Sequence, residues 1–347
     1  MRDDPSPALL SEALASLVER AGASRRILVL DATRAIVAAC DPGAGELVAI
    51  QPWRPHFDAL VQGGIAARPC LEAADSGFAI ALVALGRSHA RNLARIAEAI
   101  ARTEPGGWIA VAGSNELGAA RYARLAGATR TIARHRGRAL VLARAGAPDR
   151  ATLDAWRAGG AARRHADTGH VAAPGAFAWD RIDAGSRLLA AALPRDIAGE
   201  AADLGAGWGH LSAHLAATCP GLRRIDLHEA DHEALDAARA NLATAATRVE
   251  VGFLWTDVAR GLGGRSYDAI VSNLPFHDTR GADPAIGIAY IRAAARALRP
   301  GGRCWLVANR HLPYERALGE AFARVARIGE AEGYKLLEVA SPQNVPG

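Results

Sequence analysis

The chain is poor in cysteine and in long apolar segments, and each shortage excludes a class of protein. The four cysteines among its 347 residues, Cys40, Cys70, Cys219 and Cys304, lie far apart and form no CxxC pair. This spacing argues against a disulfide framework and a zinc knuckle, and it predicts a reducing compartment. No stretch of 18 apolar residues is free of charge, so we predict no membrane span. The N-terminal segment MRDDPSPALLSEALASLVER lacks the apolar core of a signal peptide, and we expect a cytoplasmic protein.

Lysine is almost absent as well, because Lys335 is the only one and arginine carries nearly all of the positive charge. The net charge is +5, and residues 121–170 alone hold 11 arginines against three acidic residues. A local basic excess suits the phosphate backbone of a nucleic acid, and it is also the pattern of a solvated arginine-rich face. We take Arg134, Arg136 and Arg138 as candidate RNA contacts.

Apolar strands and amphipathic helices alternate along both halves of the chain. This alternation predicts an α/β fold with two mostly parallel sheets, each ending in an antiparallel hairpin. The predicted elements of the second half are the strands Ile197–Leu204, Arg224–Glu229, Arg248–Phe253, Asp268–Ser272 and Arg303–Ala308, the helices His210–Thr218, Asp231–Ala243 and Ala285–Leu298, and the hairpin Ala323–Gly329 with Tyr334–Val339. Those of the first half are the strands Arg26–Asp31, Glu46–Ile50, Phe78–Ala84 and Trp108–Ala112, the helix Ala90–Arg102, and the hairpin Thr129–Ala133 with Arg138–Ala143.

The two halves repeat one another. Pro105 and Pro300 each open a Pro-Gly-Gly segment, predicted as a turn, and aligning them gives an offset of 195 residues. A repeat of this length indicates two copies of one domain rather than a solenoid. We therefore predict one domain at 1–145, a linker rich in Ala, Gly and Arg at 146–175, and a second domain at 176–347.

A glycine-rich turn of the form DxGxGxG begins at Asp203, follows the first strand of the second half and opens a helix. Its glycines, Gly205, Gly207 and Gly209, let the backbone approach a ligand closely, and α/β sheets bind ligands at the carboxyl ends of their strands. The turn alone is weak evidence, because many dinucleotide-binding folds share it and because it is also a tight strand-to-helix connection.

Two acidic residues after the next two strands support a ligand site at the same edge of the sheet. Glu229 follows Gly209 at the spacing, about 20 residues, at which a carboxylate meets ribose hydroxyls. Asp257 follows the third strand and can face an adenine amino group. With the glycine turn, these residues are the predicted cofactor contacts.

The most specific motif is Asn273-Leu274-Pro275-Phe276-His277 at the end of the fourth strand. The side-chain carbonyl of Asn273 and the backbone carbonyl of Leu274 can both accept hydrogen bonds from a planar amine. Pro275 stiffens the loop, and Phe276 offers a face on which a base can stack. Methyl transfer to an exocyclic amine needs such a group, whereas a dehydrogenase does not. His277 is a candidate contact to the target base, and it fits an ordinary loop histidine equally well.

The second half resembles the class I S-adenosylmethionine-dependent methyltransferases. The strings VSNLPFHD and GGRCWLVANRHLPYE, with PGAFAWDRIDAGSRLLAAALP before the glycine turn, resemble the small-subunit enzyme C family of ribosomal RNA guanine-N2 methyltransferases, with its large-subunit relatives as neighbours. That family has two tandem Rossmann-like methyltransferase domains, of which the first is degenerate.

The resemblance implies transfer of a methyl group from S-adenosyl-L-methionine to the exocyclic N2 amine of a guanine in ribosomal RNA, with 16S RNA as the expected substrate. It implies ribosomal RNA or the small ribosomal subunit as the partner, and we expect a monomer without membrane contact. The catalytic motif of the family corresponds to Asn273–Phe276, with Leu274 in place of the usual proline. Its cofactor residues correspond to Asp203, Gly205, Gly207, Gly209, Glu229 and Asp257.

The first half departs from the family where a cofactor would bind. After its first strand comes the string DATRA, without a glycine turn, and we expect Arg34 in it to crowd the cofactor position. After its third strand comes VALGR, without asparagine, proline or an aromatic residue. We predict that this half is a scaffold and an RNA-binding copy.

Other interpretations stay open at this point. The same fold serves methyl transfer to a protein glutamine amide or a DNA adenine amine, although Leu274 and the tandem copy argue against both. A retired methyltransferase that only binds ribosomal RNA is the third possibility. Pairs of histidines four residues apart, His210 with His214 and His228 with His232, have a possible metal-ligand spacing. No cysteine accompanies them, and we predict no metal site.

Overall fold

The chain divides into two compact units, Met1–Ala161 and Ala162–Gly347. The computed structural model describes residues 4–18, 20, 26–40, 45–275, 277–278, 281–282 and 284–343, with the backbone alone at 277–278 and 281–282. No helix within these residues is both long enough and apolar enough to span a membrane.

The first unit alternates strands and helices and ends in an antiparallel hairpin and a helix. Its elements are α1 (Ser6–Val18), β1 (Arg26–Leu30), α2 (Arg34–Ala39), β2 (Glu46–Ile50), α3 (Arg54–Gln62), β3 (Ala67–Arg68), β4 (Phe78–Ala84), α4 (His89–Arg102), β5 (Thr103–Ser114), α5 (Ala119–Leu125), β6 (Arg130–Arg134), β7 (Gly137–Ala143) and α6 (Arg150–Gly160).

The second unit repeats this order after a short antiparallel pair. Its elements are β8 (Arg163–Arg164), β9 (Val171–Ala172), α7 (Ala184–Ala192), β10 (Gly199–Leu204), α8 (His210–Thr218), β11 (Leu222–Glu229), α9 (His232–Leu242), β12 (Glu250–Trp255), β13 (Tyr267–Asn273), β14 (His277–Asp278), β15 (Gly281–Ala282), α10 (Pro284–Ala297), β16 (Leu298–Asn309), α11 (Glu315–Ala321), β17 (Phe322–Ala331) and β18 (Tyr334–Pro342).

Both units contain a seven-stranded sheet of one topology. The strand orders are β3-β2-β1-β4-β5-β7-β6 and β12-β11-β10-β13-β16-β18-β17. The first five strands of each order are parallel, and the last two pair antiparallel. The predicted fold class, two tandem Rossmann-like domains that each end in a hairpin, is confirmed.

Burial on both faces explains why the central strands are apolar almost throughout. β4, with the sequence FAIALVA, is buried at its first six residues, as expected for a parallel strand covered by helices on both sides. In the second unit, Leu204 and Ile270 pack with Ile291 of α10 on one face of the sheet. Leu227 and Val271 belong to the core on the other face. This two-sided packing fixes the strand ends that carry the site.

The Pro-Gly-Gly segments, predicted as turns, lie inside the long strands β5 and β16. Pairing changes register there, because Phe78 pairs with Thr103 whereas Ile80 pairs with Trp108. Residues 104–107 therefore bulge from the strand, and the same shift recurs in β16. The strands are longer than predicted because they resume pairing on both sides of the bulge.

Residues 146–175, predicted as a linker, contain regular structure that is divided between the units. Arg157 of α6 donates to the Glu98 carboxylate at 3.3 Å and to the Ala97 carbonyl at 3.1 Å, which holds α6 against α4 of the first unit. The short pair β8–β9 follows in the second unit. The sequence did not predict these two elements, because the segment is rich in Ala and Gly and resembles a linker.

Candidate active site

The glycine turn lies between β10 and α8, where the sequence places it. Gly205, Gly207 and Gly209 have φ angles of 73°, 55° and 87°, a left-handed conformation that favours glycine. A Cβ atom at Gly209 would come within 2.6 Å of Leu242 Cδ1, whereas a Cβ atom at Gly207 would meet nothing within 4 Å. Gly209 is thus required by packing, and the backbone at Gly207 faces open space that a ligand can enter.

Asp203 lies beneath this turn and is fully buried. Its Oδ2 atom accepts hydrogen bonds from the backbone N–H of Ser212 at 3.1 Å and from the Ser212 hydroxyl at 2.8 Å. Its Oδ1 atom has no hydrogen-bond partner among the described residues. Burial raises the pKa of Asp203 to about 7 against the opposing effect of the Ser212 hydrogen bonds. Asp203 therefore ties β10 to the first turn of α8, and its predicted contact to a cofactor stays a prediction.

Glu229 closes the turn from the end of the neighbouring strand β11. Its Oε2 atom accepts from the Gly207 N–H at 2.7 Å, and its Oε1 atom accepts from the Asp231 N–H at 2.8 Å. The side chain is buried, and this burial raises its pKa to about 7 although the backbone hydrogen bonds act in the opposite direction. Each oxygen retains acceptor capacity, so a ligand with neighbouring hydroxyl groups could bind to this carboxylate.

Asp257 and Tyr290 complete the same side of the site. Asp257 follows β12, and its Oδ1 atom accepts from the Ala259 N–H at 3.1 Å. Tyr290, which the sequence did not single out, comes from α10, and its ring lies 3.2 Å from the position of a Cβ atom at Gly205. Burial raises the pKa of the Tyr290 hydroxyl, and the charges of Glu229 and Asp257 raise it further. The Tyr290 hydroxyl therefore stays protonated, and the uncharged side chain lines the site beside Gly205.

Asn273 ends β13, the strand that pairs with β10 on the other side of the turn. Its Nδ2 atom donates to Asp183 Oδ2 at 2.8 Å and to Ser186 Oγ at 2.9 Å. Among the described residues, no donor to Asn273 Oδ1 accompanies these two bonds, and an amide oxygen can accept a hydrogen bond from a ligand. Asp183 and Ser186 belong to the start of α7 and were not predicted as site residues.

The rest of the motif is held by its backbone. The Leu274 N–H donates to the Val307 carbonyl at 2.9 Å, and the Leu274 side chain is buried. The Tyr314 hydroxyl donates to the Pro275 carbonyl at 3.4 Å. Lys335 supports the loop that carries Tyr314, because its Nζ atom donates to the Leu312 carbonyl at 2.7 Å.

Two predicted site residues cannot be placed at the level of side chains. Phe276 lies outside the described residues. His277 lies in β14, whose backbone pairs with β15, and its side chain is outside the described part. Both roles stay predictions.

The three candidate RNA-binding arginines lie on the hairpin of β6 and β7 in the first unit. Arg134 is exposed and makes an ion pair with Glu12 at 3.6 Å. Arg136 is exposed at the turn, with a φ angle of 57°. Arg138 is half-buried, and its Nε atom has no hydrogen-bond partner among the described residues. The hairpin therefore presents positive charge at its tip.

The histidine pairs occupy ordinary structural positions. His210 contacts the ring of Trp208 edge-on, and burial lowers its pKa. His228 Nε2 lies 2.8 Å from the Tyr267 hydroxyl in the core. In the part of the chain that the structure describes, no group of three or more His, Cys, Asp or Glu residues is placed to hold a metal ion.

The corresponding position of the first unit is filled by an ion pair. Asp31 directly follows β1 and has a φ angle of 52°. Arg95 of α4 contacts its carboxylate through Nε at 3.2 Å and Nη2 at 3.4 Å. Arg34, expected to crowd this position, instead begins α2, is exposed, and places its Nε atom near Gly63. The expectation named the wrong arginine, because α2 starts at Arg34 and carries that side chain outward.

Comparisons with known proteins agree with this geometry. Residues 168–338 match the family model described as the methyltransferase small domain. The chain is 41% identical over 149 residues to ribosomal RNA small subunit methyltransferase C of Sodalis glossinidius, a match that covers 43% of this chain and 41% of the relative. It is 36% identical over 167 residues to the protein of the same name from Salmonella typhi, covering 47% and 48%. The chain thus spans about half the length of the curated relatives it matches.

A solved structure matches over nearly the full length. It is the N2 methyltransferase of guanine 1207 of 16S ribosomal RNA from T. thermophilus, in complex with AdoMet and guanosine. The TM-score is 0.79 at 27% sequence identity, and the match covers 97% of this chain and 92% of the other. Both units, and not the second alone, are therefore similar to that structure.

Proposed function

We propose that this chain is a member of the ribosomal RNA small subunit methyltransferase C family and transfers a methyl group from S-adenosyl-L-methionine to the exocyclic N2 amine of a guanine in 16S ribosomal RNA. The observation that carries the proposal is the orientation of Asn273. Its amide NH2 group is bound by Asp183 and Ser186, and its carbonyl oxygen is left to accept from an amine beside the glycine turn.

The residues around the turn fit S-adenosyl-L-methionine. Glu229 is buried, and its two oxygens accept hydrogen bonds from the backbone N–H groups of Gly207 and Asp231. A ribose diol would satisfy its remaining acceptor capacity. The open space beside Gly207 admits the ligand, and Asp257 and Tyr290 line the same side of the site as Glu229. When bound there, the cofactor supplies a methyl group already activated by a positively charged sulfur.

Asn273 and Leu274 orient the amine that accepts the methyl group. A guanine N2 amine is a poor nucleophile, because its lone pair is delocalised into the ring. The carbonyls of Asn273 and Leu274 accept hydrogen bonds from its two N–H groups and thereby direct the lone pair out of the ring plane. The amine gains positive charge as the N–C bond forms and the bond between the methyl group and sulfur breaks, with its electron pair left on sulfur. The N–H groups of the amine then become stronger donors, and these acceptors would stabilise the transition state. One N–H proton then leaves to solvent.

The guanine must leave its base stack to reach Asn273, which is easiest in an irregular or single-stranded region. The arginines of the β6–β7 hairpin would hold RNA phosphates meanwhile. Their exposure and the local excess of positive charge support this role. We expect the partner to be 16S RNA or the small ribosomal subunit, and the chain to act as a cytoplasmic monomer.

The direct test is product analysis. The purified chain, S-adenosyl-L-methionine and unmodified 16S RNA, free or in small subunits, should yield N2-methylguanosine after digestion to nucleosides. Methylated adenosine from a DNA substrate or methylated glutamine in a ribosomal protein would contradict the proposal, because either product would identify a different amine as the methyl acceptor. Cofactor binding without transfer to any of these substrates would favour a methyltransferase that only binds RNA.

The role of the hairpin has a separate test. Replacing Arg134, Arg136 and Arg138 together by Gln should weaken RNA binding. It should also reduce the slope of log affinity against log salt concentration by the contribution of up to about three released counterions. A matched control is the joint replacement of the exposed Arg316, Arg324 and Arg327, which lie on α11 and β17. An unchanged slope in the hairpin variant would place the RNA elsewhere.

A further inference from the structure

Asp183, Ser186 and Asn273 form one hydrogen-bonded cluster that joins α7 to β13. Asp183 is the N-cap residue of α7, and its Oδ2 atom accepts from the Ser186 N–H at 2.9 Å. The same oxygen accepts from Asn273 Nδ2 at 2.8 Å, and Ser186 Oγ lies 2.9 Å from that nitrogen. The two N–H groups of the Asn273 amide thus face two acceptors that come from one helix turn.

We propose that Asp183 is a positioning residue for methyl transfer, because its carboxylate fixes which end of the Asn273 amide faces the substrate. This inference rests on the proposed function and adds to it a residue that touches neither the substrate nor the cofactor. An asparagine amide can turn end for end about its last side-chain bond and so exchange its donor and acceptor ends. An ionised carboxylate only accepts hydrogen bonds, so the reversed amide would set its oxygen against Asp183.

Asp183 is itself held independently of any ligand. Burial raises the pKa of the Tyr334 hydroxyl, and the charge of Asp183 and a hydrogen bond to its side chain raise it further. A Cβ atom at Gly185 would come within 2.8 Å of the Tyr334 ring. Because Gly185 has no side chain, the Tyr334 ring of β18 can pack against the start of α7. The Ser186 N–H and the Tyr334 hydroxyl both bind the Asp183 carboxylate and hold it in place.

The charge of Asp183 also acts through the amide. A donor group bound to a carboxylate is polarised, and hydrogen bonds in a chain strengthen one another. The Asn273 oxygen then becomes a better acceptor as the substrate amine becomes cationic. We therefore expect the loss of Asp183 to lower kcat rather than to weaken binding of the RNA or the cofactor.

The first test is the variant Asp183→Asn. Asparagine is as good an N-cap as aspartate, so α7 should persist while the charge is lost. By analogy with residues that orient ligands around metal sites, kcat should fall about 10–100-fold, with KM for RNA and the cofactor Kd changed less than about twofold. The matched control is Asp149→Asn, which alters the cap of α6 with a comparable bond to Thr152 at 2.7 Å and should leave kcat unchanged.

A double-mutant cycle separates positioning from a purely structural role. In an Asn273→Ala background, Asp183→Asn should cause no further loss of kcat, because no amide remains to be oriented. If the cluster only joins two elements, Asp183→Asn would reduce kcat equally in both backgrounds, and the proposal would be wrong.

Exchanging the two side chains is the most demanding test. Asn273→Asp alone sets two carboxylates against each other and should be strongly impaired. In the double variant Asp183→Asn with Asn273→Asp, the amide at position 183 can donate to the carboxylate at position 273 when it gives up its cap bond to the Ser186 N–H, and the second carboxylate oxygen stays available to the substrate. The double variant should therefore exceed Asn273→Asp at least about tenfold in kcat. A double variant no better than the worse single variant would overturn the proposal.

The orientation of the Asn273 amide can also be tested by NMR, without an activity assay. The side-chain amide protons of Asn273, identified by loss of their NMR signal in Asn273→Ala, should exchange with solvent at least about tenfold more slowly than those of the exposed Asn115. Asp183→Ala should remove this protection. Fast exchange in the wild-type chain would refute the proposal even if the enzyme were active, whereas protection without methylation of RNA would refute only the proposed function.

Discussion

The two units share one sheet topology, yet they differ in the residues that follow the central strand of each sheet. Leu30 pairs with Ile50 in the first unit as Leu204 pairs with His228 in the second. The next residues are Asp31 in one unit and Gly205 in the other. Gly205 has no side chain and the Tyr290 ring packs against it, whereas Asp31 places a carboxylate at the equivalent position.

The helix above each position matches this difference. Both α4 and α10 have 14 residues, and Arg95 and Tyr290 are each the seventh residue of their helix, so they are equivalent. Arg95 binds the Asp31 carboxylate, whereas Tyr290 lies against Gly205. The first unit thus has an ion pair where the second has a glycine and a tyrosine, although both have the same sheet topology. This difference teaches that the fold does not by itself specify the residues at the strand ends.

Two further positions complete the comparison. Gln51 takes the place of Glu229, and its Nε2 atom donates to the Ala32 carbonyl at 2.6 Å. Ala84 takes the place of Asn273, because each is the last residue of its seven-residue strand. Four residues, 85–88, separate Ala84 from α4, whereas ten residues, 274–283, separate Asn273 from α10. Transplanting single residues from the first unit into the second tests what each one contributes.

The largest effect is expected for Gly205→Asp, which installs the residue of the first unit. Its carboxylate would be unpaired in a partly buried site beside Glu229, a situation that costs about 3–5 kcal/mol, or about 10²–10⁴-fold in cofactor affinity. Calorimetry should detect no binding. Gly264→Asp is the matched control, because its φ angle is 77° and a Cβ atom there meets nothing within 4 Å. Normal binding by Gly205→Asp would show that the ligand lies elsewhere.

Asn273→Ala installs the residue that ends β4. Loss of one preorganised acceptor should reduce kcat and kcat/KM together by about 10²–10³-fold. The cofactor Kd should stay nearly constant, because the turn and Glu229 are untouched. Single-turnover methylation with saturating cofactor is the measurement. Near-normal chemistry would mean that Asn273 only closes the loop before Pro275.

Glu229→Gln installs the equivalent of Gln51. Hydrogen bonds to a charged acceptor contribute about 1.5–3 kcal/mol, so cofactor affinity should fall about 10–100-fold. The pKa of Glu229 is raised to about 7, so wild-type affinity should be full above pH 7 and fall as the carboxylate is protonated at lower pH. This pH dependence should be absent in the variant. The same slope in both proteins would assign it to another group, of which Asp203 is the first candidate.

Asp31→Gly should have the smallest effect. It removes an ion pair that contributes about 0.2–1 kcal/mol, and it relieves a left-handed conformation that costs an L-residue roughly 1 kcal/mol. Hydrogen exchange of β1 and β4 should therefore report a change below about 1 kcal/mol in the stability of the first unit. Calorimetry should still give one cofactor per chain, because Arg95 and Gln51 remain. Two sites per chain would show that Asp31 alone closed the first.

The sequence alone predicted the sheets and the position of the glycine turn, because strands with apolar residues on both faces and glycine turns are local signals. The helix His210–Thr218 and the strands Glu46–Ile50 and Phe78–Ala84 have the predicted bounds. The predicted cofactor and catalytic roles stay predictions, since no ligand tests them.

Contacts across long stretches of sequence could not be predicted. Asp183 is 90 residues from Asn273, and the local pattern around it indicates only a helix cap. Arg95 is 64 residues from Asp31, so the sequence drew attention to Arg34, which is close along the chain. In both cases the partner is chosen by how the strands and helices pack, and no local pattern records that choice.

The single lysine allows local opening of the second sheet to be measured by proteolysis. Lys335 is 3% exposed, and it lies in β18 between β16 and β17. A protease that cuts only after lysine therefore has one target in 347 residues, and it can reach that target only when the strand separates from its neighbours. The rate of this one cut measures how often the edge of the second sheet opens, with neither label nor ligand added.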